Sequence, residues 1–160
     1  MNILYCGDKP MQKGILLSSM SLIGNVEEPL NIYILTVDYS EKGVNYNPVD
    51  KAFAKYLERK LNKSDIGVNV FLVDVTRYFV EELPEANMQS RFTACCMLRL
   101  FADKTDIKDR VLYLDTDVLC RKDFSDFYYQ NMDGIEIAGV SDYYGRWLFG
   151  DGYINSGVML

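Results

Sequence analysis

The chain has 160 residues, of which 49% are hydrophobic and 25% charged, and its 17 basic and 23 acidic residues give a net charge of −6. This length fits one domain, and the composition excludes a disordered, collagen-like or coiled-coil protein. A negative chain without a basic stripe is not expected to bind nucleic acid. The chain contains no histidine, which excludes Ser-His-Asp and Cys-His catalysis and histidine-bound zinc within these residues.

The cysteines and the N-terminus indicate a protein of a reducing compartment. Cys95 and Cys96 are adjacent, no C-x-x-C pair occurs, and we expect reduced, partly buried thiols rather than disulfides. Asp8 interrupts the apolar run that a signal peptide needs, and no apolar stretch reaches the ~18 residues of a membrane span. We therefore expect a cytoplasmic protein without a transmembrane segment. Contact with a membrane surface would need sequence outside these residues.

The first half of the chain alternates between predicted strands and predicted helices. Apolar runs predict strands at residues 2–6, 30–37 and 68–73. Helical spacing predicts a helix over 12–24. Its apolar residues are Ile15, Leu16, Met20 and Ile23. A second helix is predicted after Asp50, which we expect to be its N-cap. Its apolar stripe comprises Phe53, Tyr56, Leu57 and Leu61. The alternation predicts a parallel sheet that helices cover on both faces.

The second half of the chain contains shorter predicted elements. Helices are predicted over 76–83 and 92–101. Strands are predicted at 111–114, 135–140 and 153–160, with an aromatic, glycine-rich loop over 143–152. No linker or repeat divides the chain, so we expect one domain over residues 1–160. The last residues, G-V-M-L, include no cap or polar tail, and we expect the chain to be the N-terminal part of a longer protein.

Two carboxylates directly follow the predicted strand at 111–114. Asp115 and Asp117 are two positions apart, so in an extended chain both side chains face the same side. Such a pair holds one divalent cation with the oxygen ligands that magnesium and manganese prefer. In open parallel sheets, ligands bind beyond the carboxyl ends of the strands, where this pair would lie. The spacing alone also fits surface carboxylates, with Asp117 capping the next turn.

A second chemistry also places a D-x-D motif after an apolar strand. In haloacid-dehalogenase-like phosphotransferases the first aspartate is the nucleophile, and a Thr or Val stands where this chain has Leu119. Their later Ser/Thr, Lys and acidic motifs would have to fit into the 41 residues after Leu119, which contain one lysine, Lys122. The sequence therefore argues against a phosphotransferase.

Four segments follow one another along the chain: N-I-L-Y-C-G-D, L-R-L-F, R-V-L-Y-L-D-T-D-V-L and Y-I-N-S-G-V-M-L. This ordered set resembles the family 8 retaining glycosyltransferases, over essentially the whole chain. The resemblance implies an α/β, Rossmann-like glycosyltransferase A-type fold with a mostly parallel central sheet and helices on both faces. It also implies transfer of a hexosyl group from a UDP-sugar to an acceptor hydroxyl with retention, dependent on Mn²⁺ or Mg²⁺. The acceptor would be a carbohydrate or a glycolipid.

The resemblance assigns donor-binding roles to several residues. Asp8 matches the residue that meets the uridine, and Arg99 matches the arginine that reaches the sugar and phosphate region. Asp115 and Asp117 match the metal-binding pair, with Asp115 also near the sugar and ribose. Thr116, between them, belongs to the same donor site.

The resemblance also assigns residues to the transferred sugar. Asp142 matches an acidic residue near that sugar, Asn155 lines the sugar pocket, and Gly157 allows a close backbone approach. Asp142, Asn155 and Arg99 would thus be the catalytic residues. From the residues alone, Asp8 fits a cap, Arg99 a surface ion pair, and Asp142 and Asn155 turn positions.

An aromatic cluster follows Asp142 and has two open interpretations. It comprises Tyr143, Tyr144, Trp147 and Phe149. These side chains either stack on a sugar ring of the acceptor or serve as packing and interface residues.

The chain departs from the family pattern in two places. Lys9, Pro10 and Met11 stand where relatives have acidic, Asn and Tyr residues, so the aromatic residue that stacks on uracil is missing. The family's histidine ligand falls beyond residue 160, which leaves two carboxylates, substrate oxygens and water around the metal. These departures keep a second function open: a truncated or degenerate domain that binds a nucleotide-sugar without turnover. The oligomeric state is not encoded in any pattern of the sequence.

Overall fold

The computed structural model describes residues 1–41, 43–82, 94–107 and 109–160, and one sheet contains the strands of this part of the chain. The strands are β1 Asn2–Cys6, β2 Leu30–Thr36, β3 Val68–Asp74, β4 Leu112–Leu114, β5 Gly139–Ser141 and β6 Ile154–Met159. The α-helices are α1 Gln12–Ile23, α2 Lys51–Leu61, α3 Thr76–Glu81, α4 Ser125–Tyr128 and α5 Gly145–Phe149. Residues Lys9–Met11 and Ala94–Lys104 form 3₁₀ helices.

The sheet has the strand order β3-β2-β1-β4-β6-β5. The first four strands of this order are parallel, and Ile3 of β1 pairs with both Ile32 of β2 and Leu112 of β4. β6 runs antiparallel to its neighbours β4 and β5, with Leu114 opposite Val158. The sheet is therefore mostly parallel, as the resemblance implied, and parallel neighbours need helical crossovers that cover its faces.

The alternation of side chains along β1 divides the core into two apolar layers. Ile3 and Tyr5 belong to a layer that includes residues of α1 and α2. Leu4 and Cys6 belong to the opposite layer, which contains Phe79 of α3 and residues of the 3₁₀ helix Ala94–Lys104. These four side chains of β1 are at most 5% exposed because elements pack on both faces of the sheet. The prediction of a sheet covered on both faces is confirmed.

The buried face of α1 differs from the predicted stripe. It comprises Ile15, Ser18, Ser19 and Leu22. Met20, which the spacing assigned to the buried stripe, is 45% exposed. Ser18 can face the sheet because its hydroxyl hydrogen-bonds the hydroxyl of the buried Tyr5 at 2.8 Å, which satisfies both polar groups.

Asp50 is the N-cap residue of α2, as the sequence predicted. Its side chain makes no capping hydrogen bond. The carboxylate instead accepts hydrogen bonds from Gln12 Nε2 at 3.1 Å and Lys9 Nζ at 3.0 Å. Both hydrogen bonds lower the pKa of Asp50, and the bond from Gln12 has the larger effect. The carboxylate therefore links the start of α2 to the segment after β1. Tyr56 of the predicted stripe is 41% exposed.

The predictions for the second half of the chain need three corrections. The strand predicted over 135–140 is observed at Gly139–Ser141, where it pairs with β6. Ala138 also pairs with Leu160, but Ile135 and Ile137 lie outside the ladder and are exposed. The predicted loop over 143–152 contains α5. Of the helix predicted over 92–101, residues 92 and 93 lie outside the described residues, and the described part is 3₁₀ rather than α-helical.

The parallel strands place two loops side by side at one edge of the sheet. β1 and β4 are parallel neighbours, so the loop that begins at Gly7 and the loop that begins at Asp115 both leave the sheet at the carboxyl ends of these strands. This is the edge at which open parallel sheets bind ligands. Among the described residues, none of the helices combines the length and apolar character that a membrane crossing requires.

Candidate functional site

The loop after β1 buries a carboxylate. The N–H of Gly7 donates to the carbonyl oxygen of Leu35 at 3.0 Å, and the N–H of Met11 donates to that of Asp8 at 3.0 Å. Asp8 lies between these bonds and is 9% exposed. Burial raises the pKa of its carboxyl group. A buried acid beyond the end of a strand is typical of a ligand-binding position.

The two carboxylates after β4 lie in a turn. The N–H of Val118 donates to the carbonyl oxygen of Asp115 at 3.1 Å, and this bond closes a turn at Thr116 and Asp117. The extended geometry that placed Asp115 and Asp117 on one side is therefore not the one observed. Both residues nevertheless line the same cavity, because the turn folds back toward the end of β1.

That cavity has a volume of about 200 Å³ and lies between the ends of β1 and β4. Its lining comprises Cys6, Met11, Cys96, Tyr113, Asp115, Thr116 and Asp117. The sequence had indicated no site role for Cys6, Cys96 or Tyr113, and Met11 had stood out only as a departure from the family pattern. Tyr113 carried a usable signal, since it is two positions before Asp115 on a strand and side chains at that spacing share a face. A larger cavity of about 470 Å³ beside α2 contains none of the predicted site residues.

Tyr113 holds one oxygen of Asp115. Its hydroxyl donates a hydrogen bond to Asp115 Oδ1 at 2.5 Å. Tyr113 is 5% exposed, and burial raises the pKa of its phenol well above the ordinary value. The phenol is therefore protonated at neutral pH and is the donor in this bond.

Arg99 connects the 3₁₀ helix Ala94–Lys104 to the same edge of the sheet. Its Nη1 donates to the carbonyl oxygen of Ser156 at 2.8 Å, and its Nη2 to Ser156 Oγ at 3.3 Å. The guanidinium carbon lies 4.8 Å from the centre of the Tyr113 ring, within the range of a cation–π contact. Arg99 thus contacts Tyr113 of β4 and Ser156 of β6, and among the described residues no acidic side chain forms an ion pair with it.

A chain of polar contacts joins Asp142 to Asp115. Asp142 Oδ1 accepts the N–H groups of Tyr144 and Gly145, and Asp142 Oδ2 accepts a hydrogen bond from Asn155 Nδ2 at 3.2 Å. Asn155 Oδ1 in turn accepts the N–H of Gly157 at 2.9 Å. The hydrogen bonds that Asp142 accepts lower its pKa, and the bond from the Gly145 N–H has the largest effect. Asp142 is therefore a carboxylate at neutral pH.

Gly157 closes this chain of contacts against Asp115. The N–H of Asp115 donates to the carbonyl oxygen of Gly157 at 2.8 Å. A Cβ at position 157 would lie 3.0 Å from Asp115 Oδ2, which is closer than most side chains tolerate. Only glycine leaves that oxygen its space. One contact network thus joins Arg99, Asp115, Asp142, Asn155 and Gly157. Thr116 and Asp117 share the cavity with Asp115, and Asp8 lies on the neighbouring loop.

The carboxylates that border this cavity fit a hard divalent cation. Within the part of the chain that the structure describes, no group of three or more His, Cys, Asp or Glu side chains is arranged to hold a metal ion. Asp115 and Asp117 are both carboxylates, and both border the cavity. Magnesium is usually held by one or two carboxylates together with substrate phosphates and water. Two protein ligands therefore suffice for an ion that is held jointly with a phosphorylated substrate.

The aromatic cluster lies on and beside α5 and is exposed. The exposed fractions are 63% for Tyr143, 80% for Tyr144, 79% for Trp147 and 70% for Phe149. Phe149 stacks on Tyr153, with 4.8 Å between the ring centres, and Asp142 fixes the first turn of the helix through its hydrogen bonds. The cluster is thus a surface next to the network rather than part of the core.

Comparison with known proteins identifies a family. The model of glycosyl transferase family 8 matches residues 2–157. The glycosyltransferase GlyA of Streptococcus pneumoniae serotype 4 is 24% identical over 160 residues, a match that covers all of this chain and 22% of GlyA. The chain therefore spans less than a quarter of the length of this curated relative.

Solved structures share the fold. An active-site mutant of LgtC superposes with a TM-score of 0.79 at 19% identity, over 99% of this chain and 56% of LgtC. The galactosyltransferase LgtC in complex with donor and acceptor sugar analogues gives a TM-score of 0.75 at 19% identity, with the same coverage. The apo form of the glycosyltransferase GlyE of S. pneumoniae TIGR4 gives 0.67 at 21% identity, over 99% of this chain and 33% of GlyE. These TM-scores show a common fold, which is that of A-type glycosyltransferases.

Proposed function

The chain belongs to glycosyl transferase family 8, and on this premise we propose that it transfers a hexosyl group from a UDP-sugar to an acceptor hydroxyl with retention at the anomeric carbon. The observation that supports this proposal is the cavity beyond β1 and β4, which two carboxylates of one turn border. A chain with a net charge of −6 repels a diphosphate unless a cation offsets the charge locally. The turn at Asp115–Asp117 is where such a cation fits.

Asp115 and Asp117 would hold Mn²⁺ or Mg²⁺ together with the diphosphate of the donor. When bound, the ion supplies positive charge that stabilises UDP as a leaving group. Thr116 lies between the two ligands and lines the same cavity. Asp8, on the neighbouring loop, would accept hydrogen bonds from the uridine.

Arg99 would add a second positive charge near the phosphates. A guanidinium has five N–H donors, and the bonds to Ser156 use two of them. The remaining donors suit charge-assisted hydrogen bonds to phosphate oxygens. Arg99 would thereby position the donor and stabilise negative charge as the sugar–phosphate bond breaks.

Asp142 and Asn155 would face the transferred sugar. Asp142 is ionised at neutral pH because backbone N–H groups and the Asn155 amide hydrogen-bond its carboxylate. A fixed carboxylate orients sugar hydroxyls by accepting their hydrogen bonds, and it stabilises positive charge that develops at the anomeric carbon. The acceptor would be a carbohydrate or a glycolipid, bound beside the exposed aromatic cluster of α5.

The metal part of this proposal is tested with Asp117→Asn. Titration calorimetry of UDP in the presence and absence of Mn²⁺ should show tighter binding with the ion, and the substitution should weaken that binding by about tenfold or more because one metal ligand is lost. The matched control is Asp65→Asn, an exposed aspartate between α2 and β3, which should bind like the unaltered protein. Equal affinity in Asp117→Asn would exclude this metal site.

The transfer part of the proposal is tested by release of UDP. UDP-glucose and UDP-galactose are incubated with the protein, Mn²⁺ and a panel of saccharide acceptors, and UDP is quantified. Release that depends on Mn²⁺ and Asp142 supports the transferase. Binding that depends on Mn²⁺ without release would favour the second function, a domain that binds the nucleotide-sugar without turnover.

A further inference from the structure

The hydrogen bond from Tyr113 to Asp115 joins a strand residue to a proposed metal ligand. The Tyr113 hydroxyl donates to Asp115 Oδ1 at 2.5 Å. Both residues line the cavity between β1 and β4, but Tyr113 is 5% exposed and its hydroxyl is directed at Asp115 Oδ1. Its contribution must therefore act through Asp115.

The side chain of Tyr113 is buried, and its backbone is held in the sheet between two neighbouring strands. Tyr113 pairs with Leu4 of β1 on one side and with Met159 of β6 on the other. The Arg99 guanidinium lies over the ring at 4.8 Å and is itself held by two hydrogen bonds to Ser156. Burial and the Arg99 contact restrict the ring of Tyr113, so its hydrogen bond restrains the carboxylate of Asp115.

The second oxygen of Asp115 is constrained from the opposite side. Asp115 Oδ2 lies 3.0 Å from the point that a Cβ at position 157 would occupy, and the backbone N–H of Asp115 is bonded to the carbonyl oxygen of Gly157. The carboxylate therefore lies between the Tyr113 hydroxyl and the backbone of β6, and its Oδ1 accepts the hydrogen bond from the phenol.

We propose that Tyr113 is a positioning residue that fixes the rotation of the Asp115 carboxylate and so presents Oδ2, together with Asp117, to the divalent cation. This inference rests on the proposed function, because it takes Asp115 as a metal ligand. Hydrogen bonds that orient a ligating side chain commonly change metal affinity tenfold to a hundredfold when they are removed. Without the phenol hydroxyl, the carboxylate gains rotational freedom that metal binding must then remove.

The test compares Tyr113→Phe with Tyr5→Phe. Tyr5 is the matched control because it is a buried tyrosine on the neighbouring strand β1, and its hydroxyl bonds Ser18 in the opposite core layer. Mn²⁺ binding in the presence of UDP is followed by the electron paramagnetic resonance signal of free Mn²⁺, which needs no catalysis. We expect Tyr113→Phe to weaken Mn²⁺ binding by about tenfold and Tyr5→Phe to change it by less than about twofold. Thermal melting of each variant reports its folding.

Equal Mn²⁺ affinity in folded Tyr113→Phe and in the unaltered protein would overturn the inference while leaving the metal site itself in place. If the unaltered protein binds no Mn²⁺ in the presence of UDP, the proposed function fails and this inference fails with it. Gly157→Ala tests the same constraint from the opposite side and decides the question if Tyr113→Phe does not fold. Its added Cβ would displace Asp115 Oδ2, so Mn²⁺ binding should weaken, whereas Gly152→Ala, with open space around its Cβ, should leave binding unchanged. Unchanged binding in Gly157→Ala would count against the inference.

Discussion

Burial of the Asp8 carboxylate destabilises the folded protein. Asp8 is 9% exposed, and burial raises its pKa above the ordinary 3.8. Its negative charge also contributes to the raised pKa values of Cys95, which reaches about 12, and of Tyr46, although burial is the larger cause for both. Such an unfavourable placement favours a role in binding, since residues that destabilise a fold concentrate at functional sites.

Replacing Asp8 by Asn should therefore stabilise the protein at neutral pH. Between 3.8 and the raised pKa of the folded state, the unfolded chain releases its proton first, so the stability of the unaltered protein falls as the pH rises through this window. Asn has no charge to bury. Thermal melting at pH 7 should show a higher Tm for Asp8→Asn, and the difference should shrink as the pH is lowered below 3.8.

The companion measurement is the affinity for UDP, which Asp8→Asn should weaken. A lower Tm at pH 7 would contradict the assignment of a destabilising carboxylate. Exposed Asp65→Asn serves as the control, and its melting temperature should stay close to that of the unaltered protein.

At the scale of elements, α1 positions the turn at Asp115–Asp117. At the start of the helix, a Cβ on Gly14 would lie 2.6 Å from the carbonyl oxygen of Thr116, so helix and turn are in direct backbone contact. Near its end, the Ser21 hydroxyl accepts the N–H of Cys120 at 2.8 Å. The turn at Asp115–Asp117 and the residues that follow it are therefore packed along a helix that belongs to the core.

Gly14→Ala should be destabilising even though alanine favours a helix by about 1 kcal/mol over glycine. The new methyl group meets backbone that cannot rotate away, and such overpacking costs about 1–3 kcal/mol. The substitution should lower the unfolding free energy in urea and weaken Mn²⁺-dependent UDP binding, because the turn must move.

Gly24→Ala is the control for this prediction. Gly24 follows the last turn of the same helix, and a Cβ there would meet nothing within 4 Å. Its urea midpoint and UDP affinity should match those of the unaltered protein. A Gly14→Ala protein with higher stability and unchanged UDP binding would show that the helix does not position the turn.

Across the whole molecule, burial decreases from the centre of the sheet toward β5. Every residue of β1 after Asn2 is buried, and so are five of the seven residues of β2. β5 and β6, by contrast, include no buried residue. Local stability follows buried contacts. The side of the sheet formed by β5 and β6, near Asp142 and Asn155, should therefore open more readily than the central strand β1, which leads to Asp8.

Hydrogen–deuterium exchange checks this gradient. Amides of β1 and β2 should exchange slowest, and those of β5, α5 and β6 fastest. Addition of UDP with Mn²⁺ should slow exchange in peptides that cover β6, since a ligand on Asp115 stabilises the strand bonded to it. Peptides from α2 provide the internal reference. Uniform protection of all strands would contradict the predicted gradient of stability. Unchanged exchange at β6 after addition of UDP and Mn²⁺ would contradict its link to the candidate site.

Most of the fold could be predicted from the sequence alone. The strands β1, β2 and β3 and the helices between them follow from the spacing of apolar residues, which is a local property that each segment has before it meets a partner. The position of Asp115 and Asp117 after a buried strand is equally local. The sequence therefore determined the α/β class and the end of the parallel strands at which the candidate site lies.

Only the tertiary structure decided how the site is built. Asp115 and Asp117 lie in a turn rather than in an extended strand because of the bond from Val118 to Asp115. Arg99 meets Ser156 from 57 positions away, and β6 reverses direction to bring Gly157 against Asp115. Contacts between distant residues depend on strand order and direction, and no local spacing of side chains specifies either.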